Sequence, residues 1–247
     1  SEDTYRTLHA ADGAVMLLDC AKGVEAQTKK LFRVCHRRRM PIFTFVNKLD
    51  RPGRDPFDLV GEVETVLQIG CYPVTWPVYR GAEFRGVYNR VEKRVYLFRP
   101  GEGHTGASEA QMDVAGIDDP RLTEELGAEG HAELRDQLEL LDAAGDGFDK
   151  ERFAKGEVSP MFFGSAYNNC GVAPFLDASR EMLPPPLARR TSKGDIQPDD
   201  PEFSAFVFKI QANMDKSHRD RMAFLRVCSG KFERGMKVRH VRAGRDI

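Results

Sequence analysis

The sequence predicts an α/β protein built on a parallel β-sheet, followed by an antiparallel β module. Residues 14–19 and 42–46 are almost continuously apolar, which is typical of strands covered on both faces. A helical pattern lies between them, and a strand, helix, strand order of these lengths predicts parallel strands joined by a right-handed crossover. Near the end of the chain, residues 206–210 alternate as in a strand with one buried face.

Residues 1–11 predict a short helix at the start of the chain. Ser1 can cap it, Glu2 and Asp3 lie in its first turn, and Tyr5 and Leu8 follow at helical spacing. Because the chain opens directly on this helix, with serine rather than methionine, we expect it to be a fragment of a longer protein.

A second helix is predicted over residues 25–39. Leu31, Val34 and Cys35 have the spacing of one buried helix face, and Pro41 stops the helix. The arginines at 37–39 have two interpretations: they cap the negative end of the helix dipole, or they contact RNA. The dipole cap is the commoner use of such a run, and we favour it.

The clearest chemical signal is the N-K-x-D pattern of Asn47, Lys48 and Asp50, which directly follows the second predicted strand. Parallel α/β sheets bind ligands at the carboxyl ends of their strands, where this pattern lies. The Asp50 carboxylate can accept two parallel hydrogen bonds, from N1–H and the exocyclic amine of guanine. Lys48 can lay its aliphatic stem over the base, and Asn47 can hold the loop and reach the O6/N7 edge. The alternative is an ordinary polar turn.

Residues 160–166 predict another buried strand, which ends in a loop of small residues that includes Ser165 and Ala166. The N–H of Ala166 can donate to O6 of guanine. The same loop would reject adenine, whose 6-amino group is itself a donor. Two loops suited to guanine favour the nucleotide interpretation over the polar turn.

The sequence contains no G-x-x-x-x-G-K-[ST] pattern. That pattern supplies the backbone N–H groups that hold phosphates and the hydroxyl that binds Mg²⁺. We therefore expect no catalytic residues and no metal site in this chain, no hydrolysis, and nucleotide binding no tighter than about millimolar.

More chain separates the two loops than one helix and one strand require, which predicts an inserted α+β subdomain at about residues 70–150. A helix with Phe57, Val60, Glu64 and Leu67 on one face precedes it, at 55–68. The predicted elements of the insert are a strand at 73–78, a hairpin of 87–89 with 95–98, and a helix at 131–142 with Leu134, Leu138 and Leu141 on one face. Residues 101–106 match the dinucleotide pattern G-x-G-x-x-G, but no clear helix follows, so a flexible turn is favoured.

Residues 187–201 are rich in proline and charge without periodicity, which predicts a linker. In the β module that follows, strands are predicted at 206–210, 222–227 and 236–240, too few to close a barrel. The triplet at 218–220 matches part of the kinase catalytic loop, but no other kinase element is present, and a polar hairpin loop is favoured.

Composition excludes several classes. The formal net charge of −1 gives no whole-chain signal for nucleic acid, and we expect no DNA partner. The apolar runs are too short to cross a bilayer and no leader is recognisable, so we expect a cytoplasmic protein without a membrane partner. The 5 cysteines are scattered without a C-x-x-C pair, which is typical of free buried thiols.

Several segments resemble the bacterial peptide chain release factor 3 family of translational GTPases, which is related to elongation factor G. They are SEDTYRTL at 1–8, NKLDR at 47–51, IGC at 69–71 with TWP at 75–77, and FKIQANMD at 208–215. The resemblance covers essentially the whole chain. It implies a P-loop GTPase-type parallel sheet, truncated at its N-terminus, over residues 1–186, and the start of an antiparallel β-barrel second domain at 202–247.

The resemblance also implies a function. Members of this family hydrolyse GTP on the ribosome and so promote the dissociation and recycling of class I peptide release factors. The implied ligand is GTP or GDP, with Mg²⁺ in the complete protein, and the implied partners are ribosomal RNA, ribosomal proteins and class I release factors. The family's base-binding motifs correspond to Asn47, Lys48, Asp50, Ser165 and Ala166.

The family's phosphate, magnesium and catalytic residues are expected upstream of Ser1. His9 is not expected to replace the catalytic histidine, because it lies on the wrong turn of the switch helix to which residues 1–11 correspond. A truncated sheet predicts exposed edges, covered by a dimer or another partner. Two functions stay open: a portion of a GTPase, or a non-catalytic, ribosome-associated guanine-nucleotide-binding module.

Overall fold

The computed structural model describes residues 2–99, 108–114, 116–144, 147–212 and 221–247. The chain divides into two compact units: Gly13–Leu183, and a smaller unit in which the residues up to Asp12 join Pro184–Ile247. The glycine pattern at 101–106 and the triplet at 218–220 lie outside the described residues. Within the described ranges, no helix combines the length and the apolar character needed to cross a membrane.

The helices are α1 (Glu2–Ala10), α2 (Ala26–Arg37), α3 (Pro56–Leu67), α4 (Pro120–Ala144), α5 (Lys150–Ala154) and α6 (Val172–Met182). The strands are β1 (Ala14–Asp19), β2 (Ile42–Asn47), β3 (Gly70–Pro73), β4 (Thr75–Arg80), β5 (Glu83–Asn89), β6 (Arg94–Arg99), β7 (Ser108–Asp113), β8 (Val158–Phe163), β9 (Arg189–Thr191), β10 (Gly194–Ile196), β11 (Ser204–Ala212), β12 (Arg221–Ser229), β13 (Arg239–His240) and β14 (Arg245–Asp246).

The larger unit is built on a four-stranded sheet in the order β1-β2-β8-β3. All of its pairings are parallel, which confirms the predicted parallel sheet. In the register of β1 and β2, Asp19 lies beside Asn47, and Val46 of β2 lies beside Phe163 of β8. The carboxyl ends of β1, β2 and β8 therefore share one edge of the sheet.

Strand β1 was predicted to be covered on both faces, and this prediction is wrong for the described part of the chain. Met16 and Leu18 are buried, whereas Val15 is 49% exposed and Leu17 is 62% exposed. Successive side chains of a strand point to opposite faces of the sheet, so only one face of β1 is covered. β1 is also an edge strand of the four-stranded sheet.

An aromatic cluster holds β2 and β8 in position. The Phe43 ring of β2 lies 4.8 Å from the Phe153 ring, and the Phe45 ring lies 5.4 Å from the Phe175 ring, both edge-on. Phe162 of β8 is fully buried in the same cluster. Burying one such side chain stabilises a fold by about 1.5–3 kcal/mol, so the two strands form a rigid base for the loops that follow them.

Helix α3 is capped by Asp55, whose side chain accepts a hydrogen bond from the Phe57 backbone N–H at 2.7 Å. The predicted helix is confirmed, but its predicted buried face is wrong. Glu64 is exposed and accepts a hydrogen bond from the Cys71 backbone N–H at 3.0 Å. The buried residues of the helix are Leu59, Val63 and Leu67.

A second, antiparallel sheet in the order β4-β5-β6-β7 follows β3. The single strand predicted at 73–78 is in fact two, because β3 pairs with β8 and β4 pairs with β5. The predicted hairpin is confirmed by β5 and β6. Helix α4 begins well before residue 131 and is interrupted at Gly127, and its predicted face of Leu134, Leu138 and Leu141 is buried.

In the smaller unit, α1 packs against β11. Lys209 Nζ of β11 lies 3.5 Å from Asp3 Oδ2 of α1. The Asp12 carboxylate accepts hydrogen bonds from Arg189, at 2.6 Å, and from Arg226. These ion pairs join the first residues of the chain to strands far along the sequence.

Two features of the smaller unit were not predicted. The segment 187–201, predicted as a linker, contains the antiparallel pair β9 and β10. The pairing of β11 with β12 shifts register between Val207 and Lys209. A bulge of this kind interrupts the alternation of faces, which explains why Ile210, predicted on the same face as Phe206, is 60% exposed.

Candidate functional site

The structure brings together the five residues predicted to bind the base. Asn47 ends β2, and Lys48 and Asp50 follow it in the loop. Ser165 and Ala166 lie in the loop after β8, the strand next to β2 in the sheet. The two loops touch through their backbones, because the Leu49 N–H donates to Gly164 O at 3.2 Å.

Asn47 links the two loops through its side chain. Its Oδ1 accepts a hydrogen bond from the Lys48 N–H at 2.8 Å and another from the Ala166 N–H at 2.9 Å. Lys48 has a φ of 72°, a left-handed conformation that side chains rarely adopt. Holding the Lys48 amide from the preceding side chain stabilises that turn. The role predicted for Asn47, to hold the loop, agrees with this geometry.

Asp50 is oriented from the second loop. The Ser165 hydroxyl, which is fully buried, donates to Asp50 Oδ1. The Arg51 Nε lies 3.7 Å from Asp50 Oδ2, and the Asp50 side chain is 17% exposed. An ionised carboxylate has about four acceptor positions, so Asp50 keeps capacity for further donors on its exposed side.

The Ala166 N–H was predicted to donate to O6 of guanine. In the structure this N–H donates to Asn47 Oδ1. Recognition of O6 through Ala166 therefore requires the N–H to exchange one acceptor for another, or to be shared between two. The predicted contact stays a prediction.

Asp19 belongs to the same edge of the sheet, and the sequence analysis missed it. Its Oδ2 lies 2.9 Å from Lys48 Nζ, and its Oδ1 accepts a hydrogen bond from the Ala21 N–H at 2.9 Å. The Lys48 hydrogen bond, followed by the one from Ala21, lowers the pKa of Asp19. The available signal was its position, because Asp19 is the last residue of β1, the predicted parallel neighbour of β2.

We expect Asp19→Asn to lower the melting temperature at pH 7 by no more than a few degrees. The pKa of Asp19 is lowered in the folded state, so its carboxylate stabilises the fold above 3.8, the ordinary pKa, and this stabilisation is lost as the pH falls through the lowered value. Lys48 is 48% exposed, and such pairs contribute only about 0–1 kcal/mol.

Thermal unfolding of both proteins from pH 7 down to pH values below 3.8 tests this expectation. The difference in melting temperature should shrink as the pH falls. Glu139→Gln is the control, because Glu139 is an exposed carboxylate of α4 that forms no ion pair with any described residue. An unchanged difference at low pH would contradict the assigned role of the Asp19 carboxylate.

Gly164 allows the second loop to pass close to its neighbours. A Cβ at this position would lie 2.4 Å from Cys170 O and 2.9 Å from the Phe45 ring. Both contacts are too short, and the first is to backbone that cannot rotate away. The loop that carries Ser165 and Ala166 therefore requires glycine here.

We expect Gly164→Ala to lower the free energy of unfolding by about 1–3 kcal/mol through this overpacking. The matched control is Gly61→Ala in α3, where a Cβ meets nothing within 4 Å and the helix gains about 0.5–1 kcal/mol. Urea unfolding of both variants measures the two effects. Equal stabilities would show that the loop relaxes without cost.

An open cleft of about 680 Å³ borders Asp50 and Arg51. Tyr79 of β4 and Gln137 of α4 line its other side. Burial raises the pKa of Tyr79 to about 12, so the phenol stays neutral near pH 7. Small-molecule sites occupy about 300–1,000 Å³, and the space beside Asp50 is large enough for a base.

The family model of the elongation factor Tu GTP binding domain matches residues 1–185. The chain belongs to this GTP-binding domain family. Residues 202–247 match elongation factor G domain 2. The predicted fold class, a GTPase-type parallel sheet followed by an antiparallel second domain, is confirmed.

Curated relatives of this GTP-binding domain protein are named peptide chain release factor 3, which confirms the resemblance seen in the sequence. The protein of Symbiobacterium thermophilum is 53% identical over 100% of this chain and 46% of its own length. The protein of Gloeobacter violaceus is 53% identical over the same shares. The chain thus spans less than half the length of these relatives.

A solved structure shares the fold. The crystal structure of ttk003000868 from Thermus thermophilus covers 99% of this chain, and the chain covers 35% of it, with a TM-score of 0.68 and 23% sequence identity. At this identity the likeness shows the fold of the GTP-binding domain protein and nothing more.

Proposed function

We propose that this chain is the guanine-recognising portion of a translation termination factor that hydrolyses GTP. The observation that carries the proposal is the pair of joined loops, in which Asn47 bonds the Ala166 N–H and Ser165 bonds Asp50. The relatives named peptide chain release factor 3 support the termination role. The matched GTP-binding domain supports the ligand, GTP or GDP.

In this proposal the Asp50 carboxylate accepts hydrogen bonds from N1–H and the 2-amine of guanine. Adenine has no such pair of donors. Lys48, whose Nζ lies 2.9 Å from Asp19 Oδ2, extends its stem beside the base. Ser165 keeps the carboxylate in one orientation, so little conformational entropy is lost when the base binds.

The phosphates and Mg²⁺ have no partners in this proposal, because the sequence lacks a G-x-x-x-x-G-K-[ST] loop. We propose that this chain binds nucleotide weakly and does not hydrolyse it. The complete protein would hydrolyse GTP on the ribosome and promote the dissociation and recycling of class I release factors in the cytoplasm. We also propose the boundaries 1–186 for the GTP-binding portion, 187–201 for the linker and 202–247 for the start of the second domain.

Titration of GDP, GTP and ATP into this chain, and into a chain extended upstream, tests the proposal. Calorimetry suits the extended chain, and NMR chemical-shift changes suit binding in the millimolar range. We expect tight guanine-nucleotide binding by the extended chain only, with no response to ATP by either. GTP turnover on ribosomes by the extended chain separates a GTPase from a non-catalytic guanine-nucleotide-binding module. Equal binding of GDP and ATP would overturn the proposal.

A further inference from the structure

Helix α2 carries an exposed row of cations. Lys30, Arg33 and Arg37 follow one another at i, i+3 and i+7 and are exposed, opposite the buried Phe32 and Cys35. Residues three, four and seven apart lie on one helix face. We name Lys29, Lys30, Arg33, Arg37 and Arg39 the α2 cationic face. The sequence has no carboxylate between Glu25 and Asp50 to neutralise it.

The cations of this face have no partners among the described residues. None of its five members forms an ion pair with any residue that the structure describes. Elsewhere in the same unit, arginines are paired, as in Arg54 with Glu62 at 2.6 Å and Arg135 with Asp118 at 2.7 Å. Unpaired charge is thus concentrated on α2.

The helix dipole explains only part of this face. Cations stabilise the last turn of a helix, and Arg37 lies there. Lys30 and Arg33 lie further from the carboxyl end, where the dipole effect is lost. Moreover, Lys29 with Arg33, and Arg33 with Arg37, are like charges at i and i+4, which destabilise a helix. Helix stability alone would favour neutral residues at these positions.

The chemistry of the face favours a nucleic-acid partner over a protein. Protein interfaces have an apolar core, and no large hydrophobic side chain of α2 is exposed. The phosphate backbone, in contrast, is bound by rows of arginine and lysine, whose N–H groups match phosphate oxygens.

We propose that the α2 cationic face binds the phosphate backbone of RNA. The choice of RNA rather than DNA rests on the proposed role in translation. Binding of this kind is electrostatic, independent of sequence and weakened by salt. The face is separate from the two base-binding loops, so it would add a contact to RNA without using the residues that recognise guanine.

The test is binding of a fluorescently labelled RNA hairpin to this chain by anisotropy, at several salt concentrations. We expect the double variant Lys30→Gln, Arg33→Gln to bind about tenfold more weakly at low salt, and the slope of log K against log[salt] to fall by about 1.4 for two lost phosphate contacts. The matched control is Arg80→Gln, Lys93→Gln, which removes one arginine and one lysine that are also exposed but lie at the end of β4 and before β6. The control should bind like the unmodified chain.

Three further readouts separate the explanations. The α2 variant should melt no lower than the unmodified chain, because like-charge pairs have been removed. An equal loss of RNA binding in the control, or no binding by the unmodified chain, would overturn the proposal. Tighter binding of a polyglutamate peptide than of the RNA would replace it with an acidic protein partner. Asp50→Asn should leave RNA binding unchanged, so the outcome is independent of guanine recognition.

Discussion

Replacing Asp50 with asparagine is expected to weaken guanine-nucleotide binding about 100-fold and to create binding of xanthine nucleotides. Asparagine keeps one acceptor oxygen, to which Ser165 can still donate, but it presents an N–H₂ group to the 2-amine of guanine. Losing one charge-assisted hydrogen bond and opposing two donors costs about 3 kcal/mol. Xanthine has a carbonyl at that position, which accepts from the new amide.

Competition between GDP and xanthosine diphosphate in the upstream-extended chain measures this switch, and NMR titration follows it in the present chain. Asp136→Asn is the control, since Asp136 is an exposed carboxylate on α4 outside the two loops. It should leave the preference for GDP unchanged. An Asp50→Asn protein that still prefers GDP would show that Asp50 does not contact the base.

Replacing Asn47 with alanine is expected to separate the two loops. The Lys48 and Ala166 N–H groups would both lose their acceptor, Asn47 Oδ1. Each lost hydrogen bond costs about 1 kcal/mol, so the loss of about 2 kcal/mol should lower the melting temperature by about 4–8 °C. Hydrogen exchange at the Ala166 amide should become at least about tenfold faster.

Asn168→Ala provides a matched control in the second loop. The Asn168 side chain forms no hydrogen bond with the described residues, although its backbone N–H donates to Ser165 Oγ at 3.4 Å. This variant should keep both the melting temperature and the slow exchange at Ala166. If Asn47→Ala behaves like Asn168→Ala, the bond between the loops contributes nothing measurable.

The elements that could be predicted from sequence are those with a strong local pattern. The apolar runs of β2 and β8 and the capped helix α3 were found because periodicity and capping are properties of neighbouring residues. The pairing of β3 with β8 and the bulge between Val207 and Lys209 were missed. Both depend on contacts between residues far apart in the chain, which local pattern does not encode.

The candidate site shows the same division. The sequence by itself determined the residue types at Asn47, Lys48, Asp50, Ser165 and Ala166, and hence the guanine hypothesis, because hydrogen-bonding chemistry belongs to individual side chains. The tertiary structure alone decided that Asp19 lies against Lys48, and that Asn47 accepts from the Ala166 N–H. These pairs are brought together only when β1, β2 and β8 align their carboxyl ends at one edge of a parallel sheet.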